Sequence, residues 1–222
     1  MKKFAIAIDG PAGSGKSTVA KMIAKELNIA YVDTGAMYRS IAYYAMHHAI
    51  PLEQEEAVVT SLPEIRLELI PEKSGQRVVL NGEDVTEKIR LQEIGRGASV
   101  VAKYEKVREL LGGMQQEMAT AFSLVMDGRD IGTHILPNAE VKVYLDADVM
   151  ERAKRRFLEL QEKGESGELS EIAKEIQARD DEDRNRKLNP LCQAEDAVYI
   201  DSTQFSIEKV KEKILELVKE SV

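Results

Sequence analysis

The residues best suited to chemistry lie near the N-terminus, where a glycine-rich stretch precedes a lysine and a serine. Gly10-Pro11-Ala12-Gly13-Ser14-Gly15-Lys16-Ser17 satisfies the pattern G-x-x-x-x-G-K-[ST] in full. Glycines let the backbone curl until successive N–H groups point at phosphate oxygens, and the dipole of a following helix adds positive potential. We expect a nucleoside triphosphate here, with Lys16 at its β- and γ-phosphates, Ser17 on Mg²⁺ and Thr18 at its α-phosphate. A plain turn between a strand and a helix is the alternative.

Arginines and acidic residues are mixed in the last quarter of the chain, between Arg179 and Arg186. On a helix, Arg179, Asp183 and Arg186 would fall within about 60° of one another and share one face. Two guanidinium groups beside a carboxylate can clamp phosphates, because the planar fork pairs bidentately with phosphate oxygens and keeps its charge. A solvated, salt-bridged helix face has the same spacing, so this pattern alone leaves both interpretations open.

A second group of arginines, Arg152, Arg155 and Arg156, follows Asp148, an expected N-cap with Glu151 three residues later. These arginines would lie on one side of a helix. The other side would carry Ala153, Phe157 and Leu160. The basic side could close over a transferring phosphate as a lid, or it could remain an exposed basic face.

Asp127-Gly128-Arg129-Asp130 follows an apolar run, and ligands of open α/β sheets gather beyond the carboxyl ends of strands. Asp127 could support Mg²⁺ through water. Arg129 and Asp130 could contact a phosphate acceptor. A plain turn is the alternative.

The segment Asp33-Thr34-Gly35-Ala36-Met37-Tyr38-Arg39 comes soon after the first predicted helix. Tyr38 could stack on a base and Arg39 could hold the phosphate of that nucleotide, although a core-facing ring is the commoner use of such a tyrosine. The histidines have no metal-like spacing, and we expect structural roles for them. They are His47, His48 and His134.

Apolar runs of strand length alternate with helical stretches, a pattern typical of a parallel sheet covered by helices. The predicted strands are Phe4–Ile8, Leu124–Met126, Val141–Leu145 and Ala197–Ile200. Apolar spacing predicts a first helix over Lys16–Leu27 and a last one over Ile207–Val218, with Ser206 as its N-cap.

The segment from Pro51 to Arg90 has a different pattern, in which 65–70 and 77–80 alternate like exposed strands. Ser74-Gly75 and Asn81-Gly82 are turn signals, so we predict a small antiparallel insertion. Residues 163–168 interrupt two helical patterns and are interpreted as a connector.

The 222-residue chain has a net charge of −8 and a single cysteine, Cys192. An acidic chain lacks the basic stripe of general nucleic-acid binders, so we expect no nucleic-acid partner. The sequence shows neither an apolar run as long as a membrane span nor a secretory signal, so we expect no membrane association. A lone cysteine agrees with a reducing cytoplasm, and nothing in the sequence requires more than a monomer.

Four segments, taken in order, resemble bacterial cytidylate kinases, a family of P-loop nucleoside monophosphate kinases. They are 10–18, 33–39, Asp127-Gly128-Arg129-Asp130-Ile131-Gly132-Thr133 and Arg179-Asp180-Asp181-Glu182-Asp183-Arg184-Asn185-Arg186. The likeness covers nearly the whole chain, including Asp201-Ser202-Thr203. It implies a P-loop core of residues 1–33, 102–148 and 187–222, and a monophosphate-binding lobe of residues 34–101 with the antiparallel insertion. Residues 149–186 would form a lid and an arginine-rich helix.

The resemblance also implies which residues surround CMP. They are Thr34, Tyr38, Arg39, Arg108, Arg129, Asp130, Arg179, Asp183 and Arg186. Cytosine or ribose would be read by Arg129, Asp130 and Asp183. Phosphate would be held by Arg39, Arg108 and Arg179. The lid arginines, Arg152, Arg155 and Arg156, would approach the ATP phosphates on closure, and the catalytic group would comprise Lys16, Arg129 and Arg179.

The implied reaction is ATP plus CMP or dCMP, giving ADP plus CDP or dCDP, with Mg²⁺. The acceptor oxygen is already anionic, so catalysis would rest on alignment and charge neutralisation rather than on a base. The nearest alternative is a kinase for UMP, AMP or a small alcohol, for which Asp33 could act as a base. A P-loop switch or regulatory module is the alternative from another class, although a guanine-reading Asn-Lys-x-Asp is absent from the sequence.

Overall fold

Alternating strands and helices make up this computed structural model, which describes residues 3–72, 75–162, 164 and 166–222. The strands are, in chain order, β1 (Ala5–Asp9), β2 (Ala30–Asp33), β3 (Leu67–Glu72), β4 (Gly75–Leu80), β5 (Glu83–Asp84), β6 (Leu124–Gly128), β7 (Val141–Asp146) and β8 (Val198–Asp201). The helices are α1 (Lys16–Leu27), α2 (Thr34–His47), α3 (Glu55–Ser61), α4 (Gln92–Val101), α5 (Glu105–Ala121), α6 (Val149–Glu162), α7 (Leu169–Asn185) and α8 (Ile207–Ser221). Each helix within these described ranges is too short or too polar to span a lipid bilayer.

Among the described residues, five parallel strands form the central sheet in the order β2-β6-β1-β7-β8. All residues of β1 and β6 are buried, which explains their largely apolar sequences. On one face, Ile23 of α1 and Ile214 of α8 belong to the same apolar cluster as Ile6. On the other face, Met126 packs in a cluster with Ile135, from a π-helical turn that follows β6. The predicted α/β class, a parallel sheet covered by helices, is confirmed.

Strand β2, at one edge of the sheet, has no counterpart among the predicted strands. It is only four residues long, and two of these are partly exposed. Pairing with β6, from Ala30 opposite Leu124 to Asp33 opposite Asp127, makes this segment a strand. This register brings Asp33 and Asp127 side by side at the carboxyl edge of the sheet.

The predicted antiparallel insertion is present, as a sheet in which β3, β4 and β5 pair in that order. Asn81 and Gly82 connect β4 to β5 with φ angles of 50° and 85°, the positive values that a type I′ turn requires. Of the other expected turn signal, Ser74-Gly75, Ser74 lies outside the described residues. The insertion shares an apolar cluster with α2 and α5, to which Met37, Val78 and Leu111 contribute.

Helices α6 and α7 pack on each other through an apolar cluster that includes Ala153 and Ile176. The partly buried members of this cluster include Phe157 and Leu160, as the predicted apolar side of α6 requires. The expected connector, 163–168, lies between the end of α6 and the start of α7. Its residues Lys163 and Glu165 are outside the described part of the chain.

Side chains cap two helices as predicted. Asp148 Oδ1 accepts from the Met150 N–H at 2.9 Å at the start of α6, and Ser206 Oγ accepts from the Lys209 N–H at 3.2 Å at the start of α8. The capping box at α6 is only half formed, because the Asp148 N–H donates to Thr203 Oγ1 at 2.9 Å. Asp148 thereby ties α6 to the segment that follows β8.

Candidate active site

The glycine-rich loop curls between the end of β1 and the start of α1, where the sequence predicts it. At Gly10 the φ angle is +147°, and a Cβ atom would stand 2.0 Å from the carbonyl oxygen of Leu145, so only glycine fits. Farther along the loop, Ser202 Oγ, from the segment after β8, donates to the Ser14 carbonyl at 3.3 Å. The loop is therefore held between β7 and the segment after β8.

Lys16 spans the interior of this loop. Its Nζ donates to the Pro11 carbonyl at 2.6 Å and to Ser14 Oγ at 3.3 Å. Burial, and then the positive charge of Arg129, lower the pKa of Lys16 to about 7. Phosphate oxygens in the loop would replace these neutral acceptors and favour the charged form of the lysine.

Ser17 and Asp127 bring two oxygen ligands together beside the loop. Ser17 Oγ donates to Asp127 Oδ2 at 2.8 Å, and the buried Tyr31 hydroxyl donates to Oδ1 at 2.9 Å. Burial and the nearby Asp33 charge raise the pKa of Asp127, against the opposing effect of Lys16. A hydroxyl and a carboxylate are hard oxygen donors of the kind that Mg²⁺ prefers, so this pair fits that ion.

The start of α2 is fixed by Asp33. Its Oδ1 accepts from the Ala36 N–H at 2.9 Å as an N-cap, and its Oδ2 accepts from Arg39 Nη2 at 2.9 Å. Burial alone would raise the pKa of Asp33, but the Arg39 charge and the Ala36 N–H outweigh it and lower the pKa. The Arg39 Nε atom is buried without a hydrogen-bond partner among the described residues. The neighbouring Thr34 donates from Oγ1 to the Asp127 carbonyl at 2.7 Å.

Five of the predicted CMP-contacting residues form one network of ion pairs. Asp130 pairs with Arg108, and its other oxygen lies 3.2 Å from Arg186 Nη2. Arg129 Nε donates to Asp183 Oδ2 at 2.7 Å, and Arg186 Nη1 lies 3.9 Å from Asp183 Oδ1. The side chains of Asp130, Arg108 and Arg186 are no more than 8% exposed, so these charges interact with little screening by water.

Tyr38 lies against this network rather than in the core alone. Its ring centroid is 5.7 Å from the guanidinium carbon of Arg108, within the range of a cation–π contact. Burial raises the pKa of the Tyr38 hydroxyl to about 12, so the hydroxyl stays neutral. The ring is therefore both packed against apolar neighbours and part of the candidate site.

Arg179 differs from its neighbours because it forms no hydrogen bond or ion pair within the described part of the chain. The residue is exposed as a whole, although protein atoms surround its guanidinium group. Desolvation by nearby protein atoms, and then the charge of Arg129, lower the pKa of Arg179 to about 10, with a smaller effect from Arg39. Arg39, Arg129 and Arg179 thus bring positive charge to one region, where a phosphate would relieve their repulsion.

Helix α7 ends at Asn185, one residue before Arg186, which has an extended backbone. The prediction that Arg179, Asp183 and Arg186 share one face of a helix is therefore wrong for Arg186, which lies beyond the helix. The extended turn lets Arg186 Nε donate to the Asn189 carbonyl at 2.6 Å while Nη2 reaches Asp130.

The arginines of α6 lie in three different surroundings. Arg156 is near the surface, with Nη1 3.2 Å from Glu159. Arg155 donates to the Ser202 carbonyl at 2.8 Å. Arg152 is buried and donates from Nη1 to the Ala12 carbonyl at 2.9 Å. Their predicted contact with ATP phosphates stays a prediction.

Reasoning from the sequence missed three charged or polar residues that support the site from behind without lining the acceptor site. Asp9 accepts from the N–H groups of Ile131 and Gly132 at 2.8 and 2.7 Å, which ties β1 to the turn after β6. An aspartate directly after an apolar run was the available signal. Tyr31 and Asp180 gave no signal, because β2 was not predicted and Asp180 is one of several acidic residues in its run.

Comparisons with known proteins agree with one another. The profile of the family described as Cytidylate kinase matches residues 6–220. The chain is 50% identical over 221 residues to the cytidylate kinase of Bacillus cytotoxicus, and the match covers 100% of this chain and 98% of that relative. It is 50% identical over 219 residues to the cytidylate kinase of Bacillus subtilis, covering 99% and 98%.

A solved structure of an uncharacterised protein from Eubacterium ventriosum is similar in fold. The TM-score is 0.53 at 12% sequence identity, and the match covers 98% of this chain and 99% of that one. At this level of identity the likeness concerns the fold alone.

Proposed function

Because the chain belongs to the cytidylate kinase family, we propose that it transfers the γ-phosphoryl group of ATP to CMP and dCMP. The products are ADP and CDP or dCDP. The observation that best carries this proposal is the buried network of arginines and aspartates beside a complete phosphate loop. A second polyanion can be held close to the first only where fixed positive charge offsets their repulsion.

The donor site is the loop from Gly10 to Thr18. Backbone amides and the Lys16 ammonium bind the ATP phosphates. A negatively charged phosphate oxygen stabilises the buried ammonium better than the neutral Pro11 carbonyl does, and would raise the lowered pKa of Lys16. Ser17 would hold Mg²⁺ directly and Asp127 would support it through water. The ion would supply positive charge that neutralises part of the charge of the phosphates.

The acceptor site is lined by the network and by the start of α2. The resemblance implies Arg39, Arg108 and Arg179 at the CMP phosphate, but we propose Arg129 in place of Arg108, because Arg129 and Arg39 both lower the pKa of Arg179, whereas Arg108 is paired with Asp130. Among the described residues Arg179 has no ion pair and Arg39 Nε has no hydrogen-bond partner, which supports a phosphate at this place. The base and ribose contact the remaining members of the set. These are Thr34, Tyr38, Arg108, Asp130, Asp183 and Arg186.

The chemistry requires alignment rather than a base. A phosphate oxygen of CMP is already negatively charged and attacks the γ-phosphorus while the bond to the ADP oxygen breaks. Arg129 is suited to the place where the two nucleotides meet, because its charge acts on Lys16 of the donor site and on Arg179 of the acceptor site. Lys16 and Arg129 then stabilise charge on the transferring group, and closure of the α6 arginines excludes water that would otherwise hydrolyse ATP.

The contacts of Asp33 argue against the alternative of an alcohol kinase. A base for an alcohol acceptor needs a free carboxylate oxygen near the donor phosphate. Both oxygens of Asp33 are engaged, one by the Ala36 N–H and one by Arg39. Asp33 therefore orients Arg39.

A panel of acceptors in an ADP-release assay tests the proposal. CMP, dCMP, UMP, AMP and a shikimate-like alcohol are compared at equal ATP, and we expect kcat/KM for CMP and dCMP to exceed the others by at least about tenfold. Transfer to the alcohol but not to CMP would contradict the proposal. ATP hydrolysis that CMP leaves unchanged would favour a P-loop switch.

We also propose that the chain acts as a monomer in the cytoplasm, as its sequence predicts.

A further inference from the structure

An ion pair joins α6 to α7 beneath the phosphate loop. Arg152, in the first turn of α6, is 2% exposed, and Asp180, on α7, is 0% exposed; Nη2 and Oδ2 lie 2.7 Å apart. Of the ion pairs formed by described residues, this one is the most deeply buried. A charge that lost its partner here would be strongly unfavourable, so the two side chains are expected to move together.

Both members of this pair bind the same residue of the loop. Arg152 Nη1 donates to the Ala12 carbonyl at 2.9 Å, and Asp180 Oδ1 accepts from the Ala12 N–H at 3.3 Å. Arg152 Nε also donates to the Ala147 carbonyl, just beyond β7, at 2.8 Å. Ala12 is therefore an attachment point between the loop and the two helices.

The same pair is close in sequence to the acceptor site. Asp180 directly follows Arg179 and precedes Asp183 by three residues on α7. Asp183 in turn binds Arg129 at 2.7 Å. A displacement of α7 that brings these residues onto CMP would act on Ala12 through Asp180, and a displacement of the loop would act on α7 by the same contact.

We propose that Arg152 and Asp180 are positioning residues that couple the donor site to the acceptor site. The proposal rests on the proposed function for the identity of the two ligands. It gives Arg152 a place beneath the loop backbone, distinct from the contact with ATP phosphates that the resemblance implies for Arg152, Arg155 and Arg156. We expect the coupling to be favourable, so that CMP binds more tightly when the donor site is filled. Because coupling between two sites is reciprocal, ATP then binds more tightly by the same factor when the acceptor site is filled.

The test is the ratio of CMP dissociation constants without and with a saturating non-hydrolysable ATP analogue and Mg²⁺, measured by calorimetry. We expect a ratio of about fivefold or more for the wild type. Asp180→Asn keeps the shape of the side chain but removes its charge, and we expect its ratio to fall close to one. CMP affinity in the absence of the analogue should stay within about twofold of the wild type, because Asp180 does not line the acceptor site.

Asp181→Asn is the matched control, with the same substitution at an adjacent, exposed position where the side chain accepts from Gln177 at 2.8 Å. It should keep the wild-type ratio. A merely structural role for Asp180 would lower the midpoint of thermal unfolding and leave the ratio unchanged, and that result would overturn the inference.

If Asp180→Asn fails to fold, Arg152→Lys is judged by the same ratio, since it keeps the charge but loses the planar fork that reaches Ala12 and Asp180 together. A ratio of one in the wild type would also overturn the inference. A wild type that neither binds nor phosphorylates CMP would overturn the proposed function itself. An unchanged ratio in a variant of an active CMP kinase would overturn only the coupling.

Discussion

Lys16 and Arg179 direct positive charge toward the place where two nucleotides would meet, but their surroundings differ. Lys16 is buried and already bonded to two loop oxygens. Arg179 is exposed and without an ion pair in the described part of the chain. A bound phosphate therefore displaces existing contacts at Lys16, whereas it supplies the first close partner at Arg179.

Lys16→Ala should reduce kcat by about 100-fold or more, because the developing charge on the transferred group loses its ammonium partner. Steady-state assays with ATP and CMP give the measurement. Lys25→Ala is the matched control, at an exposed position of the same helix. Turnover of Lys16→Ala within a few fold of the wild type would show that the loop does not bind the reacting phosphates.

Arg179→Ala should weaken CMP binding by about tenfold to a hundredfold, the loss typical of a charge-assisted hydrogen bond, and leave ATP affinity nearly unchanged. Calorimetry with each nucleotide separately gives both values. Lys174→Ala, at an exposed position on α7 where the side chain pairs with the nearby Glu171, serves as the control. Equal losses for both nucleotides would contradict the assignment of Arg179 to the acceptor.

At the scale of elements, the inserted sheet contacts the central sheet at the carboxyl end of β2. The Asp33 N–H donates to Gln76 Oε1 of β4 at 3.0 Å. Asp33 also holds Arg39 through Oδ2, so β4 and Arg39 are connected through one residue. The position of the insertion therefore affects how Arg39 is presented.

Gln76→Ala should raise KM for CMP by about fivefold while KM for ATP stays the same, because a lost hydrogen bond of about 1 kcal/mol loosens the support of Arg39. Initial-rate kinetics with each substrate varied in turn give both constants. Arg77→Ala changes the next residue, whose side chain pairs with Glu72 at the surface, and should alter neither. A parallel rise in both constants would point to general destabilisation instead.

Asp9 connects β1 to the π-helical turn and should give the fold a measurable pH dependence. Burial raises the pKa of Asp9 from 3.8 to about 6, against the opposing effect of the Gly132 and Ile131 N–H groups. The folded state then holds a proton that the unfolded chain has released. The contribution of Asp9 to stability is full below pH 3.8 and is lost as the pH rises through about 6.

Between about pH 4 and pH 7, the free energy of unfolding of the wild type should fall relative to Asp9→Asn by on the order of 3 kcal/mol. Urea titrations of both proteins at several pH values give this difference. The contributions of the other carboxylates to the pH dependence are the same in both proteins and therefore cancel. A difference that does not change with pH would show that the Asp9 carboxyl is not shifted.

The sequence predicted those elements whose pattern is local. Buried strands such as β1 and β6 are continuous apolar runs, and the glycine loop is recognisable from residue types and spacing alone. Strand β2 was missed because pairing with β6, rather than its four residues, makes it a strand. The partners of Arg152 could not be predicted for the same reason: Asp180 and Ala12 are distant in sequence and meet only after α6 and α7 pack under the loop.

At the scale of the whole molecule, an acidic chain concentrates positive charge in one place. The net charge is −8, whereas Arg129 acts electrostatically on both Lys16 and Arg179, and Arg39 acts on Arg179 as well. A negatively charged surface disfavours nonspecific binding of long polyanions, and a local positive region still attracts small ones. The division into core, monophosphate-binding lobe and lid, which the family resemblance implies, stays a prediction.

The central claim is that two separate sites hold ATP and CMP at the same time. Titration of CMP into protein saturated with Mg²⁺ and a non-hydrolysable ATP analogue tests it most directly. We predict one CMP bound per chain, with the analogue still in place. Mutual displacement of the two nucleotides, or no binding of any pyrimidine monophosphate, would contradict the account.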